Sequence, residues 1–321
     1  MNYFLIKLQF DSAVHFGGSD SALSLYTSEE FFRADTLFSA LCHTALVLRG
    51  EAGLQALYHA AQQGTLLFSD AMPWQEETFY LPKPFLPSFS TEEVETSLRK
   101  KVKKLAWLPA LRFDSYVRSL HQGHFVPDGV QESFGTHYEQ TKAKVSAQGD
   151  TEPYQVGLFR FAPDCGLYFF CACREVEQMD DLTILLEALG LSGIGGKTTA
   201  GYGRFHIEDS ILLNEPFDEQ TAWLYQRLCS RPAPYLLLTS SLPQDAELDA
   251  ALQDGSFQLI RRGGFLASEQ VETPVKKRSQ HFLAAGSVLH HTYQGAVYDV
   301  GIAVGHPVYR YAKPLFLGVT L

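Results

Sequence analysis

The chain has 321 residues, a formal net charge of −10, 45% hydrophobic and 13% aromatic residues. This length predicts about two domains with real cores and excludes a disordered chain. The acidic balance excludes a generally basic nucleic-acid coat, so any RNA surface must be a local basic patch on an acidic body. Five cysteines cannot all pair within the chain, and no apolar run approaches the ~20 residues of a membrane span. The opening MNYFLIKLQF alternates like a strand and lacks the apolar region of a signal peptide, so a reducing cytoplasm is the expected setting.

In chain order, Phe4, Ile6, Leu8 and Phe10 form one face of a first strand. A helix is predicted from near Asp35, whose carboxylate can cap it, with Leu37, Leu41, Cys42, Ala45 and Leu48 along a core-facing stripe. TLLFS (65–69) reads as a second strand, and residues 70–153 as a long insertion. Within it, TEEVETSLRKKVKKL (91–105) is a candidate helix, Glu early and Lys late as the macrodipole prefers. Its lysines either touch RNA or form a solvated face. Residues 121–152 read as a mobile loop or an extended hairpin. Strands follow at 154–161 and 166–173, joined by a turn at Ala162–Cys165. Cys171 and Cys173 share one side of the latter strand and are read as core. A helix at 180–190 and a strand at 203–212 close the unit. The order predicts a split βαβ–βαβ, ferredoxin-like arrangement: an antiparallel sheet with helices on one face and the other face free to bind. RNA-recognition modules share this architecture.

Between those last two elements lies SGIGGKTTAGYGRF, 192–205. Gly193, Gly195, Gly196, Gly201 and Gly203 permit close backbone approach to an anion, Lys197 adds a charge, and Thr198 and Thr199 add hydroxyls. A nucleotide P-loop is disfavoured. Leu191 stands where that motif needs glycine, and the loop leaves a helix and enters a strand, the reverse of the required order. An extended backbone such as RNA suits the loop better; a glycine-rich turn without a ligand is the alternative.

SRPAP (230–234) marks a boundary, giving a first domain at 1–230 and a smaller one at 231–321. The second opens strand–helix–strand: PYLLLTS, PQDAELDAALQ and SFQLIRR. Arg261 and Arg262, before Gly263-Gly264-Phe265, offer charge, backbone access and a stacking ring suited to single-stranded RNA, or else an exposed solubilising hairpin. In GHPVYRYAKP (305–314), Tyr309 and Tyr311 face one side of a strand and Arg310 the other. The eleven histidines are scattered, and neither His121/His124 nor His290-His291 has metal-ligand spacing. His15 and His43 are the conceivable general acid and base, although a packed or surface histidine is the commoner case. No catalytic residue, metal site or cofactor is assigned.

GIGGKTTAGYGRF resembles the glycine-rich loop of the RAMP proteins of CRISPR systems, Gly-x-Gly-Gly-Lys-x-x-x-Gly-x-Gly. FFRADTLFSALC (31–42), RRGGF, AAGSVL (284–289) and GHPVYRYAKP resemble one subgroup, the type III-A (Csm) effector subunit that caps the 5′ end of the guide RNA, the fourth Csm protein family. The chain departs at Arg33-Ala34, where many relatives carry His-Ser. The resemblance implies an α+β protein of two ferredoxin-like, RRM-like domains without catalytic activity. Such a subunit grips the repeat-derived 5′ tag of the crRNA. It also joins the large polymerase/nuclease subunit to the backbone RAMP subunits, in antiviral defence and away from membranes. Carried over by residue, Gly193 to Arg204 line the RNA path, Arg33 faces the same groove, Arg261, Arg262 and Arg310 contact phosphates, and Tyr309 or Tyr311 stacks a base. The alternatives are a metal-independent guide-processing endoribonuclease of the same superfamily and the type III-B counterpart subunit.

Overall fold

The computed structural model describes residues 1–18, 24–87, 96–122, 133–145, 151–230, 233–266, 275–302 and 305–320. Strand β1 (Asn2–Phe10) is followed by α1 (Ala34–Gln62), β2 (Leu66–Phe68), β3 (Met72–Gln75) and β4 (Thr78–Pro82). Next come α2 (Thr96–Lys104), β5 (Trp107–Pro109), α3 (Phe113–Gln122), β6 (Gly135–Val145) and β7 (Thr151–Phe161). Then follow β8 (Cys165–Cys173), α4 (Glu177–Ser192), β9 (Phe205–Leu212) and α5 (Glu219–Leu228). The C-terminal part holds β10 (Tyr235–Leu237), α6 (Leu248–Leu252), β11 (Leu259–Arg262), β12 (Gln280–Leu283), β13 (Val288–Leu289), β14 (Val297–Asp299), β15 (Tyr309–Tyr311) and β16 (Phe316–Gly318).

The main sheet runs β5-β4-β3-β8-β1-β9, with β2 also paired to β8. β1 lies antiparallel between β8 and β9, in a register that sets Ile6 opposite Phe169. The insertion therefore extends the sheet through β3, β4 and β5. Strand β7 pairs with β6 and not with β8, so the described part of the stretch expected at 121–152 to be a loop or extended hairpin contributes a long antiparallel strand, residues 135–145. Glu92, Glu93 and Glu95 of the expected acidic helix start, His124, and residues 123–132 and 146–150 of the expected loop lie outside the described residues.

Alternation builds the two faces of this sheet. Phe4, Ile6 and Leu8 with Leu167, Phe169, Cys171 and Cys173 pack under α1 and α4, against Leu37, Leu41, Leu182, Leu186 and Leu189. Burial pushes the Cys171 and Cys173 thiols up, as suits core residues. The opposite face is not free, contrary to expectation. Leu5, Tyr168, Phe170 and Ala172 pack against Leu224 of α5 and against Leu236, Leu238, Leu315 and Leu317 of the C-terminal part. At roughly 1.5–3 kcal/mol for each buried large apolar side chain, covering this face is strongly favoured.

Two details of α1 also differ from expectation. Leu48 is exposed, because the helix breaks at Gly50 (φ 65°, ψ −164°) and its last residues before the break turn outward. Asp35 does not cap the helix. Arg33 occupies the cap position without a side-chain capping bond, and the Ala34 amide donates to Asp70 Oδ1 at 2.9 Å.

Candidate nucleic-acid interface

Helix α4 ends as the Gly193 amide donates to Leu189 O at 2.7 Å. The Ile194 amide donates to Gly203 O at 2.9 Å and closes the neck of the loop. Gly203 N then donates to Ala13 O at 2.9 Å, Gly196 N to His15 O at 2.8 Å, and Arg204 N to Ser12 Oγ at 2.9 Å. These bonds narrow the cradle expected over 193–204: the amides of Gly193, Ile194, Gly196, Gly203 and Arg204 are spent on helix α4, the neck and the β1–α1 connection. The amides of Gly195, Lys197, Thr198 and Thr199, on the outer turn, bond to no other described residue. The glycines at the neck are sterically required. A Cβ on Gly203 (φ +75°) would lie 2.0 Å from Ile194 O.

Lys197 adopts the left-handed conformation, φ 63° and ψ 26°, uncommon for a residue with a side chain. Its Nζ sits 5.2 Å from the centre of the Tyr154 ring on β7. Beside it, Lys142 Nζ of β6 lies 4.4 Å from the Tyr202 ring, whose hydroxyl donates to Gln140 Oε1. The loop with the open amides thus makes two lysine–tyrosine contacts with the β6–β7 pair, both tyrosines half-buried, and ends at the exposed Arg204. His15, behind the loop, is buried, and its Nδ1–H donates to Gly157 O at 2.7 Å, so it is a packing residue rather than a surface acid or base. His43 is exposed on α1.

Of the remaining predicted residues, Arg33, Arg262, Arg310 and Tyr311 gather about the start of α1. Arg33 pairs with Glu29 and lies 5.0 Å above the Phe31 ring. Arg262 grips Asp35 with both edges, Nε to Oδ2 at 2.9 Å and Nη2 to Oδ1 at 2.8 Å. Arg310 is 4% exposed, and its guanidinium donates to the carbonyls of Arg262, Arg278 and Gly263 at 2.8–3.0 Å. Tyr311 is fully buried, stands against Phe38 and Phe68, and accepts from Phe68 N. The expected phosphate role of Arg310 and base-stacking role of Tyr311 therefore give way to structural ones. Tyr309 stacks on Tyr58 with ring centres 4.2 Å apart. Arg261 is exposed and donates to Ser279 Oγ at 3.1 Å.

Charge is concentrated here. Burial would raise the Asp35 carboxyl, but the charge and hydrogen bonds of Arg262, with Arg310 and Arg33 behind, hold it below its usual range. Burial lowers the Lys277 ammonium, and the nearby Arg310 and Arg262 lower it further. Asp70 moves the other way, raised by burial against the pull of Arg33 and bonds from Ala34 and Ser240. The two clusters are joined: Phe16 would touch a Cβ on Gly195, and its carbonyl accepts from the amide of Glu29, the partner of Arg33.

Residues 7–206 match the RAMP superfamily, and residues 232–319 match the CRISPR Csm4 C-terminal domain. A curated relative from Mycobacterium tuberculosis (strain CDC 1551 / Oshkosh), named "CRISPR system Cms protein Csm4", is 35% identical over 322 residues, covering 99% of this chain and 98% of its own length. The chain belongs to the Csm4 family. A Csm4 relative from Streptococcus thermophilus is 32% identical, with 98% of each chain covered. In solved structures, the fold resembles a chain of a Csm1-Csm4 cassette in complex with pppApA (TM-score 0.65, 19% identity, 100% of this chain and 99% of that one). It equally resembles a chain of a Csm3-Csm4 subcomplex of the type III-A interference complex (TM-score 0.64, 16% identity, 100% of both chains). In this Csm4-family chain the RAMP match carries the loop, and the Csm4 C-terminal match carries Arg262 and Arg310.

Lys142 and Tyr154 are not legible as site residues in the sequence, because they reach the loop only through the β6–β7 pairing. The alternation of Lys142 and Lys144 in a strand is the one available signal. Tyr202 stands inside the motif, where the flanking glycines dominate the pattern.

Proposed function

We propose that this chain is a non-catalytic, cytoplasmic subunit of a type III-A effector that holds the 5′ repeat-derived tag of the crRNA. It would link the large polymerase/nuclease subunit to the backbone RAMP subunit, in antiviral defence. The observation that carries the reading is the pair of lysine–tyrosine contacts, Lys197 on Tyr154 and Lys142 on Tyr202, made by the loop whose amides at Gly195 and Lys197–Thr199 are unbonded. Ammonium groups and open amides suit phosphates, and tyrosine rings suit unstacked bases. The names of the relatives, and the Csm1 and Csm3 partners named for the similar structures, support the assembly role. The strand order β9-β1-β8-β2 with two crossing helices supports a ferredoxin-like first domain at 1–230, and the strand–helix–strand opening of 231–321 supports a smaller second one.

Filter binding of the full chain to tag RNA tests the interface. The double variant Lys142→Ala/Lys197→Ala should weaken binding and flatten the salt dependence by about 1.4 in log–log slope, at ~0.7 for each single-strand phosphate no longer neutralised. Affinity and slope equal to those of the unaltered chain would refute the interface. Copurification with the large and backbone subunits tests the linking role.

A further inference from the structure

We propose that a second cleft, set apart from the glycine loop, accepts one unstacked guanine of a single-stranded RNA; this rests on the RNA-binding reading above. The cleft encloses about 610 Å³ and is walled by Glu30, Phe31, Lys101, Lys104, Trp107 and His137. That volume lies within the range of small-molecule sites and admits a nucleotide. It lies where the segment preceding α1, the last turn of α2, the start of β5 and the hairpin strand β6 meet.

Each wall supplies a different element of nucleotide recognition. Phe31 and Trp107 are half-exposed and pack edge to face, ring centres 5.2 Å apart at 87°, giving an aromatic wall for a base. Lys101 and Lys104 are exposed, and neither is ion-paired among the described residues. Lys83 Nζ donates to the carbonyls of Val102 and Lys103 at 3.0 and 3.2 Å, so the end of α2 is closed without drawing on the two cleft lysines. They remain available to the phosphate that follows the base.

Glu30 sets the base preference. His137 Nε2–H donates to Glu30 Oε1 at 3.1 Å and fixes the carboxylate. A carboxylate only accepts hydrogen bonds. Guanine offers it two adjacent donors, N1–H and the N2 amino group, on one edge. Uracil offers a single N–H between two carbonyl oxygens, which a carboxylate repels. The cleft also continues the strip already described: Phe31 carries Arg33 on its ring, Arg33 pairs with Glu29, and Glu29 meets Phe16 beside the loop.

The test uses the full chain and two eight-nucleotide RNAs, one all uridine and one with a single central guanosine. The guanosine RNA should bind about tenfold tighter and quench tryptophan fluorescence. Trp107→Phe should abolish that quenching while keeping the affinity. Trp107→Ala should weaken binding about 5- to 150-fold, the range for removing the platform of one stacked base. Glu30→Gln should bring the two RNAs within about twofold of each other, because it weakens the guanine contact and relieves the repulsion of the uracil carbonyls. Equal affinity of the unaltered chain for both RNAs, or a preference that survives Glu30→Gln, overturns the cleft. Binding that disappears in Lys142→Ala/Lys197→Ala but is indifferent to Glu30 and Trp107 overturns the cleft alone and leaves the loop interface standing. Failure of the unaltered chain to bind either RNA overturns both.

Discussion

Asp35 and Asp70 are both buried carboxylates at the start of α1, yet their surroundings act on them in opposite directions. Asp35 meets the Arg262 guanidinium along two bonds, and its carboxyl is held below 3.8. A carboxyl depressed on folding stabilises the fold above its unfolded value and loses that contribution as pH falls through the folded value. Asp70 receives bonds from Ala34 N and Ser240 Oγ, but burial raises it above 3.8. Between its unfolded and folded values the folded chain keeps a proton that the unfolded chain has released, so rising pH removes stability there. Asp35→Asn should therefore cost about 3 kcal/mol near pH 7, because it leaves the largely buried Arg262 guanidinium without its anionic partner. The deficit should shrink below about pH 4, where the unfolded Asp35 carboxyl is itself protonated. Asp70→Asn preserves an acceptor for Ala34 and should be neutral or stabilising near pH 7. Urea unfolding of both variants at pH 7 and at low pH reads the two signs directly, and equal destabilisation at pH 7 would contradict this account.

At the scale of elements, the glycine loop was legible as a loop but not in its division of labour. Spacing alone treats its glycines as equivalent, whereas the neck is held by tertiary bonds. Gly203 is wedged against Ile194 O, while a Cβ on Gly201 (φ +86°) would meet nothing within 4 Å. Gly201→Ala should therefore carry only the left-handed backbone penalty of roughly 1–2 kcal/mol. Gly203→Ala adds a clash with main chain that cannot rotate away, and should destabilise clearly more; thermal unfolding of the pair checks the order. The same reasoning explains what else the sequence revealed and withheld. β1 and β8 show strong apolar patterns because the sheet buries them, whereas β9 at the sheet edge buries only Phe205 and Ile211; α4 repeats its leucines because one face of it is buried. Arg310 and Tyr311 looked like ligand-binding residues because a charge and a ring on a short strand carry no mark of burial. Their partners, the carbonyls of Arg262, Arg278 and Gly263 and the Phe68 amide, come from distant segments. Trp107 and Glu30 were unreadable as a pair for the same reason, since only the packing of the insertion on the α1 segment brings them to one cleft.

Over the whole molecule, the N- and C-terminal parts share one seam and satisfy each other's polar groups along it. The Phe68 amide donates to Tyr311 Oη at 2.9 Å, and Phe68 O accepts from Thr239 Oγ1 at 2.8 Å. Asp70 N donates to Leu238 O at 3.0 Å, while Ser240 Oγ donates to the Asp70 carboxylate at 2.6 Å. Around these bonds the apolar face of Leu5, Tyr168 and Phe170 is closed by Leu236, Leu238, Leu315 and Leu317. A chain ending at residue 230 would expose that face and leave the Phe68 and Asp70 groups without those partners. Each unsatisfied buried group costs about 1–3 kcal/mol, and each uncovered leucine forfeits about as much again. Against a typical net stability of about 5–15 kcal/mol, the sum is decisive. Residues 1–230 alone should therefore bind a hydrophobic dye, lack near-ultraviolet circular dichroism and melt without a cooperative transition. A sharp, reversible melt of that fragment would show that the first domain carries its own complete core. The Arg262–Asp35 contact would then be an interface between two independent bodies rather than part of one.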